Sequence, residues 1–252
     1  MRAAPDLSVI IPAYQEAARI GPSLAAVLAY LRGQPWSFEL IVVDDGSRDA
    51  TVEVVRAGLA GEPEARLISY QPNRGKGYAV RTGVLSSLGD KVVFLDADLS
   101  TPPEEIPAAM AALEAGAEVV IGSRRHPQSE ILVHQPPYRR VATAVFTYIR
   151  HLIVGLRQYT DTQCGFKALR GDVARALFAR TVINRFMFDV ELIYLAEKAH
   201  LVVREQPVRW TDAPGTKVRF IEGGVNMVKD LLRIRWVHRG KFDGTLQRVV
   251  SD

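Results

Sequence analysis

The sequence predicts an α/β domain built on a doubly wound, mostly parallel sheet with helices on both faces. Three observations carry that expectation. Short β-branched runs alternate with segments of helical spacing through the first 125 residues. The runs end in polar or glycine-rich turns, as strands do that deliver side chains to one edge of a parallel sheet. The chain has 252 residues and 48% hydrophobic content, enough for one large core and too apolar for disorder.

Leu7 to Ile11 is a β-branched run that Pro12 is expected to stop. Within Glu16 to Leu31, the apolar residues Ile20, Leu24, Val27, Leu28 and Leu31 recur at helical spacing. Phe38 to Val43 is the second strand and runs into Asp44-Asp45-Gly46-Ser47; Ser47 or Asp49 is placed to cap a helix from Thr51 to Ala60. Arg66 to Tyr70 reads as the third strand, followed by the loop Asn73-Arg74-Gly75-Lys76-Gly77 and a helix through Val84 to Leu88. The fourth strand, Val92 to Leu95, ends in Asp96-Ala97-Asp98. Glu104 to Ala115 is a helix, and Glu118 to Ile121 a strand ending in Gly122-Ser123-Arg124.

Beyond about residue 125 the rhythm changes. Arg125 to Pro137 reads as a polar loop, Tyr138 to Arg157 as a long helix and Asp161 to Lys167 as a compact polar motif. A helix from Arg185 to about Ala199, a late strand over Leu201 to Pro207 and Val208 to Trp210, and a basic last helix from Asn226 to Val237 complete the chain. The expected organisation is one domain over residues 1–240, with halves at about 1–124 and 125–240 and a loose tail at 241–252.

Several classes are disfavoured. No Gly-x-Gly-x-x-Gly follows the first strand, and Asn73-Arg-Gly-Lys-Gly lacks the leading glycine and the Ser/Thr of a Walker A loop. No nucleophilic Asp follows the first strand as in dehalogenase-type phosphatases. The formal net charge is +4, and no nucleic-acid partner is expected. Cys164 is the single cysteine, so no internal disulfide forms, which suits a reducing cytoplasm. The N-terminus does not read as a signal peptide, and no window offers the ~20 apolar residues of a spanning helix. The nearest candidate, Val141 to Leu156, is broken by Arg150 and His151.

The strand ends bring three acidic groups to one edge: Pro12-Ala-Tyr14-Gln-Glu16, Asp44-Asp45 and Asp96-Ala97-Asp98. Ligands bind beyond the carboxyl ends of parallel strands, and two Asp separated by one residue there can share a hard divalent cation. The competing reading of Asp44-Asp45 and of Asp96-Ala97-Asp98 is a turn with a helix cap. Lys76 and Arg81 are placed to clamp diphosphate charge, with Gly75 and Gly77 letting the backbone approach a ligand; a solvated helix face is the alternative. Trp36, His126 and His200 read as packing or surface residues.

The segments SVIIPAYQE, VVDDGSRDAT, NRGKGYAVRTG, FLDADLSTP, GSR, DTQCGFK and FMFDVEL together resemble the inverting nucleotide-sugar glycosyltransferases of family 2, with the GT-A fold. The resemblance covers roughly residues 7–235 and is closest to the polyprenyl-phosphate branch, the dolichyl-phosphate glucosyltransferase type above all. It implies a nucleotide-sugar half at about 1–124 and an acceptor half at about 125–240. Pro12, Tyr14, Glu16, Asp44 and Asp45, with Lys76, Asp96 and Ala97, would hold the donor. Asp96 and Asp98 would bind Mg²⁺ or Mn²⁺; Arg124, Arg139 and Thr143 would receive the acceptor phosphate; Asp161 and Gln163 would stand at the reaction centre. Whether Asp161 orients or takes a proton stays open, as does a buried structural turn at Asp161 to Cys164. The implied reaction moves a hexose, glucose favoured, from a nucleotide-sugar, UDP favoured, to a polyprenyl phosphate; the alternatives are a soluble acceptor or a non-catalytic nucleotide-sugar-binding protein.

Members of the glucosyltransferase type often carry an N-terminal membrane helix, which is not seen in this sequence. The expected substitute is docking on an anionic membrane surface, peripheral on the cytoplasmic face. Arg139, Arg150 and Arg157 fall on one stripe of the helix over Tyr138 to Arg157, with Arg140 and His151 beside them, unless Gly155 ends it early. Lys229, Arg233, Arg235 and Arg239 on the last helix add to it. A core helix with a solvated basic face is the alternative. Oligomeric state stays open.

Overall fold

The computed structural model describes residues 4–132, 137–211 and 220–240, and within these the side chains of 137–144 and 220–225 lie outside the description. Strands β1 (Leu7–Ala13), β2 (Phe38–Asp44), β3 (Ala65–Ser69), β4 (Lys91–Phe94) and β5 (Val119–Ser123) form where the β-branched runs place them. Helices α1 (Ile20–Arg32), α2 (Thr51–Gly58), α3 (Lys76–Leu85) and α4 (Ile106–Glu114) alternate with them. Proline does not stop β1, which runs through Pro12 to pair with Val43 and on to Ala13 opposite Asp44. β1 pairs with β4 only as far as Ile10, so the missing Pro12 N–H leaves no ladder bond unmade on that side. Nor does Ser47 or Asp49 occupy the cap of α2: that position is Ala50, and Ser47 Oγ instead accepts from the Gln15 amide at 2.8 Å.

The second half contributes β6 (Glu130–Ile131), α5 (Pro137–Val154), β7 (Lys167–Arg170), α6 (Gly171–Phe178), α7 (Phe188–Lys198), β8 (Val203–Pro207), β9 (Arg209–Trp210) and α8 (Phe220–Val237). Three of these, β6, β7 and α6, have no counterpart in the sequence reading, which takes Arg125 to Pro137 as a loop. The seven-stranded sheet has the order β3-β2-β1-β4-β7-β5-β8. All its pairs are parallel except those of β7, which runs antiparallel between β4 and β5. The two halves of the chain therefore share one sheet. β6 and β9 make a separate parallel pair.

Both faces of the sheet are covered. Along β1, Leu7, Val9 and Ile11 pack on one side with α1 and α4, while Ile10 packs on the other with α3, α6 and α7. β2 divides likewise, Leu40 and Val42 against Ile41 and Val43, so the strands read as continuous apolar runs because each face has its own core. Side chains past the carboxyl ends of β1, β2 and β4 are thereby left on one edge.

Candidate active site

The edge is laid out by the β1–β2 register. With Ala13 opposite Asp44, the segment Tyr14–Glu16 lies beside Asp44–Ser47, and it is fastened there: the Glu16 amide donates to Thr51 Oγ1 at 2.8 Å. Gln15 takes a φ of 53° in this turn. Glu16 pairs with Arg19, and Tyr14 is half-buried.

Asp44 and Asp45 are buried and bonded within the chain. Asp44 accepts from the Ser47 amide at 3.2 Å and from Ser69 Oγ at 2.9 Å. Asp45 accepts four hydrogen bonds, from Tyr70 Oη (2.8 Å), Asn73 Nδ2 (2.7 Å), and the amides of Arg74 and Gly75 (both 2.8 Å). This carboxylate is the template on which the Asn73–Gly77 loop is wound. Gly75 sits at φ 105°, and a Cβ there would meet the Asn184 carbonyl oxygen at 2.5 Å. A Cβ on Gly77 would meet Phe188 Cβ at 2.6 Å. The expectation that these glycines admit a ligand is corrected: they admit the 183–188 segment. Arg81 is corrected too, since its guanidinium donates to the Thr181 carbonyl (2.7 Å) and Asn184 Oδ1 (2.9 Å), away from the edge.

At the end of β4 the arrangement is more open. Asp96 and Asp98 are half-buried, and Asp98 Oδ1 accepts from the Ser100 amide at 3.0 Å. Ala97 is buried between them, and Leu99 holds the exit at φ 50°. Lys76 reaches over from the first turn of α3 and ion-pairs with Asp96. Burial works against the charge on Lys76, but Asp96 and then Asp189 more than offset it, so its pKa is raised. Gly165 of the Asp161–Lys167 motif lies directly against Asp96: a Cβ there would meet the carboxylate at 1.9 Å, which no side chain could occupy.

Behind this lies a second, fully buried pair. Lys167 on β7 binds Asp189 in the first turn of α7, donates to the Cys164 carbonyl at 2.7 Å, and stands 5.4 Å from the centre of the Phe94 ring. Removing either partner would strand a buried charge at a cost of about 3–5 kcal/mol. Two residues on, Glu191 accepts from the amides of Val182 (2.9 Å) and Ile183 (2.8 Å), fixing the segment that backs Gly75 and Gly77. The two acids of the FDVEL segment thus hold the two loops that frame Lys76 and Asp96.

Asp161 faces Arg124. Arg124 Nε donates to Oδ2 at 2.6 Å and Nη2 to Oδ1 at 3.0 Å, and the Arg124 amide adds a third bond at 3.1 Å. Burial raises the Asp161 pKa, but the Arg124 charge and hydrogen bonds and the Gln163 amide outweigh it and hold the carboxyl down at about 2. Asp161 is therefore held as an anion whose charge Arg124 matches. Arg124 in turn stacks 5.5 Å from the centre of the Trp210 ring. The structure brings Asp161, Gln163 and Arg124 to one small cleft, with Arg125 and Arg150. Arg139 and Thr143 lie on α5, with side chains outside the described residues.

The expected basic stripe on α5 is corrected. Arg150 is 2% exposed and Arg157 lies beyond the helix, which ends at Val154 with Gly155 at φ 89°. The described face of α5 toward solvent is instead apolar: Val145, Tyr148 and Leu152 are all more than half exposed. α8 packs alongside, with Arg235 donating to the Ile153 carbonyl at 2.6 Å, and exposes Leu232 and Trp236 between Lys229, Arg233 and Arg239.

Lys167, Asp189, Glu191, Gly165, Arg125 and Arg150 were given no role in this site by the sequence reading. The available signal was charge inside otherwise apolar text, a lysine in CGFKAL and two acids in FMFDVELIYL, since buried ionisable side chains need partners.

Comparison with known proteins agrees with this architecture. The pattern of the family described as glycosyl transferase family 2 matches residues 8–178. The dolichyl-phosphate beta-glucosyltransferase of Drosophila melanogaster is 38% identical over 245 residues, spanning 92% of this chain and 74% of the fly protein. The human protein of the same name is 33% identical over 243 residues, spanning 91% and 75%. Among solved structures, glucosyl-3-phosphoglycerate synthase from Mycobacterium tuberculosis, in complex with Mn²⁺, UDP and phosphoglyceric acid, superposes with TM-score 0.69 at 20% identity, covering 95% of this chain and 80% of that one. Mannosyl-3-phosphoglycerate synthase from Rubrobacter xylanophilus gives 0.66 at 16% identity, covering 94% and 76%. The structural neighbours share the fold, a mostly parallel sheet of GT-A type with helices on both faces. With its acidic strand edge, its Asp-x-Asp turn and these matches over most of its length, the chain belongs to glycosyl transferase family 2.

Proposed function

We propose that this protein transfers glucose from UDP-glucose to a polyprenyl phosphate, with inversion at the anomeric carbon. The observation that carries the acceptor assignment is the state of Asp161. A hydroxyl acceptor needs a base, and a carboxyl held at about 2 by Arg124 is a poor one. A phosphomonoester needs none, because its second pKa of about 6 leaves it largely dianionic at neutral pH. A phosphate oxygen attacks the anomeric carbon, the bond from that carbon to the diphosphate breaks, and UDP leaves with the electron pair. Lys76, already at the end of β4, offsets the charge that develops on the leaving diphosphate. The curated relatives named as glucosyltransferases support glucose, and the UDP held by the mycobacterial neighbour supports uridine.

Asp96 and Asp98 fit a divalent ion: both are oxygen ligands, half-exposed, on a turn that leaves the sheet. Among the described residues no group of three or more such ligands forms, so a donor diphosphate and water would complete the shell. When bound, Mg²⁺ or Mn²⁺ would neutralise the diphosphate. Pro12, Tyr14, Glu16 and Asp44 frame the edge on which the nucleoside would lie, and Asp45 contributes by holding the Lys76 loop.

The exposed apolar strip on α5 and α8, rimmed by Lys229, Arg233 and Arg239, supports docking on an anionic membrane surface. No helix among the described residues is long and apolar enough to cross a membrane.

The test measures product from UDP-glucose and GDP-mannose with Mn²⁺, offering a polyprenyl phosphate, the matching polyprenol and 3-phosphoglyceric acid as acceptors. β-Glucosyl phosphate from the polyprenyl phosphate alone is the expected result. Comparable transfer to the polyprenol overturns the phosphate argument, and preference for phosphoglyceric acid moves the assignment to a soluble acceptor.

A further inference from the structure

Arg150 is the most deeply buried arginine among the described residues, at 2% exposure, and no carboxylate there pairs with it. Its Nη1 donates to Thr162 Oγ1 at 2.6 Å, while Nη2 donates to the Tyr159 carbonyl at 3.0 Å and lies 2.8 Å from His151 Nε2. Its Nε is buried and has no partner. The two acids whose charge it feels, Asp161 and Glu205, are engaged elsewhere: Asp161 by Arg124, and Glu205 Oε1 by the amides of Thr160 and Asp161. A cation withdrawn from water without a counter-ion costs several kcal/mol, and a ligand that brings the missing charge recovers that cost.

The cleft beside it is small, about 20 Å³, and carries further cationic and hydroxyl groups. Arg150 lines the same cleft as Arg124, Arg125, Thr147, Thr160 and Gln163. Arg125 is exposed at its mouth, with Nη1 3.4 Å from Thr147 Oγ1. Among the lining residues the Arg124 charge is balanced by Asp161, which leaves Arg125 and Arg150, with Glu205 behind Thr160 as the nearest further acid, and so a net positive cleft.

We propose that Arg150 and Arg125 form the floor and rim of a pocket for a phosphomonoester dianion, and that filling it fixes the 159–163 segment through the bonds of Arg150 to Tyr159 and Thr162. The proposal rests on the acceptor reading above and adds two arginines to it. Arg150 acts on the anion through its unbalanced charge beneath the cleft, and it is a positioning residue at its two terminal nitrogens. A bound phosphate would stiffen the segment that carries Asp161 and Gln163, so acceptor binding would also align the reaction centre.

Calorimetric titration of the full chain, loaded with Mn²⁺ and UDP, tests this with inorganic phosphate and a short-chain polyprenyl phosphate as separate probes. Arg125→Gln, a surface change with no folding hazard, and Arg150→Lys should each weaken both anions about tenfold, a loss of ~1.4 kcal/mol. UDP affinity should stay within about twofold, and the acceptor KM should rise without change in the donor KM. Wild-type affinity for both anions in Arg125→Gln overturns the proposal, whatever Arg150→Lys does. Phosphate held through both arginines, with polyprenyl phosphate neither bound nor glucosylated, upholds the pocket and sinks the lipid acceptor instead.

Discussion

The carboxylates that follow β2 and those that follow β4 flank the same strand, β1, and point off the same edge, yet they are held in opposite ways. Asp45 takes four hydrogen bonds from its own chain, whereas Asp98 takes one from the Ser100 amide and stays half-exposed. The first is a structural anion around which a loop is folded. The second is a ligand in waiting. A carboxylate's part in a site is set by how many of its lone pairs the fold has already used, and strand-end position alone does not reveal that number.

The comparison breaks most readily at Asp98. Asp98→Ala should lower turnover by about a thousandfold, ~4 kcal/mol in the barrier, and abolish the Mn²⁺-dependent part of UDP binding while the unfolding midpoint hardly moves. Turnover within tenfold of wild type, or full activity in chelator, would sink the assignment. Asp45→Ala should do the reverse, costing about 3 kcal/mol of stability in urea unfolding by stranding four donors, with activity lost only as far as the Lys76 loop loosens. An unchanged unfolding midpoint would show that the loop does not need its template.

Asp161 sharpens the contrast because it is both buried and ionised. Its folded pKa of about 2 lies below the unfolded value of ~3.9, so its stabilisation is present above pH ~4 and drains away as pH falls toward 2. Asp161→Asn should therefore cost roughly 2 kcal/mol at pH 7 and progressively less as pH falls through 2, with the two unfolding curves converging below it. A constant difference across that range would mean that Arg124 does not hold the charge. The smallest effect on stability belongs to the outer face. Leu152→Ser with Trp236→Ser should alter stability by less than ~0.5 kcal/mol, yet reduce co-sedimentation with anionic vesicles several-fold at low salt. Equal recovery of variant and wild type would remove that face as the docking surface.

Sequence pattern located the five early strands and the Asp-x-Asp turn, because β-branched runs buried on both faces leave an unmistakable apolar signature. It did not find β7. Lys167-Ala-Leu-Arg170 is only four residues long and starts and ends in a basic residue, the lysine finding its counter-ion in Asp189 on α7. Arg150 was misplaced for a related reason. Angular periodicity assumes a helix that reaches Arg157, whereas α5 ends at Val154, and which stripe of α5 is covered depends on α8 and on the 159–163 segment, neither of which the helix's own spacing encodes. What the sequence withheld throughout was partnership across long separations.

The insertion of β7 also constrains how the molecule can be made and remade. β5 pairs with β7 on one side and β8 on the other, and both are synthesised after it. On the ribosome, Val119–Ser123 therefore emerges with neither neighbour in existence, an apolar strand with two open edges until the chain beyond residue 203 arrives. A fragment ending near residue 124 would carry that liability permanently. A chimaera that exchanges acceptor halves between relatives at that point would succeed only if the incoming Lys167–Arg170 equivalent matches the register Phe94↔Lys167. A slip of one residue there would turn Lys167 to the opposite face of the sheet, away from Asp189.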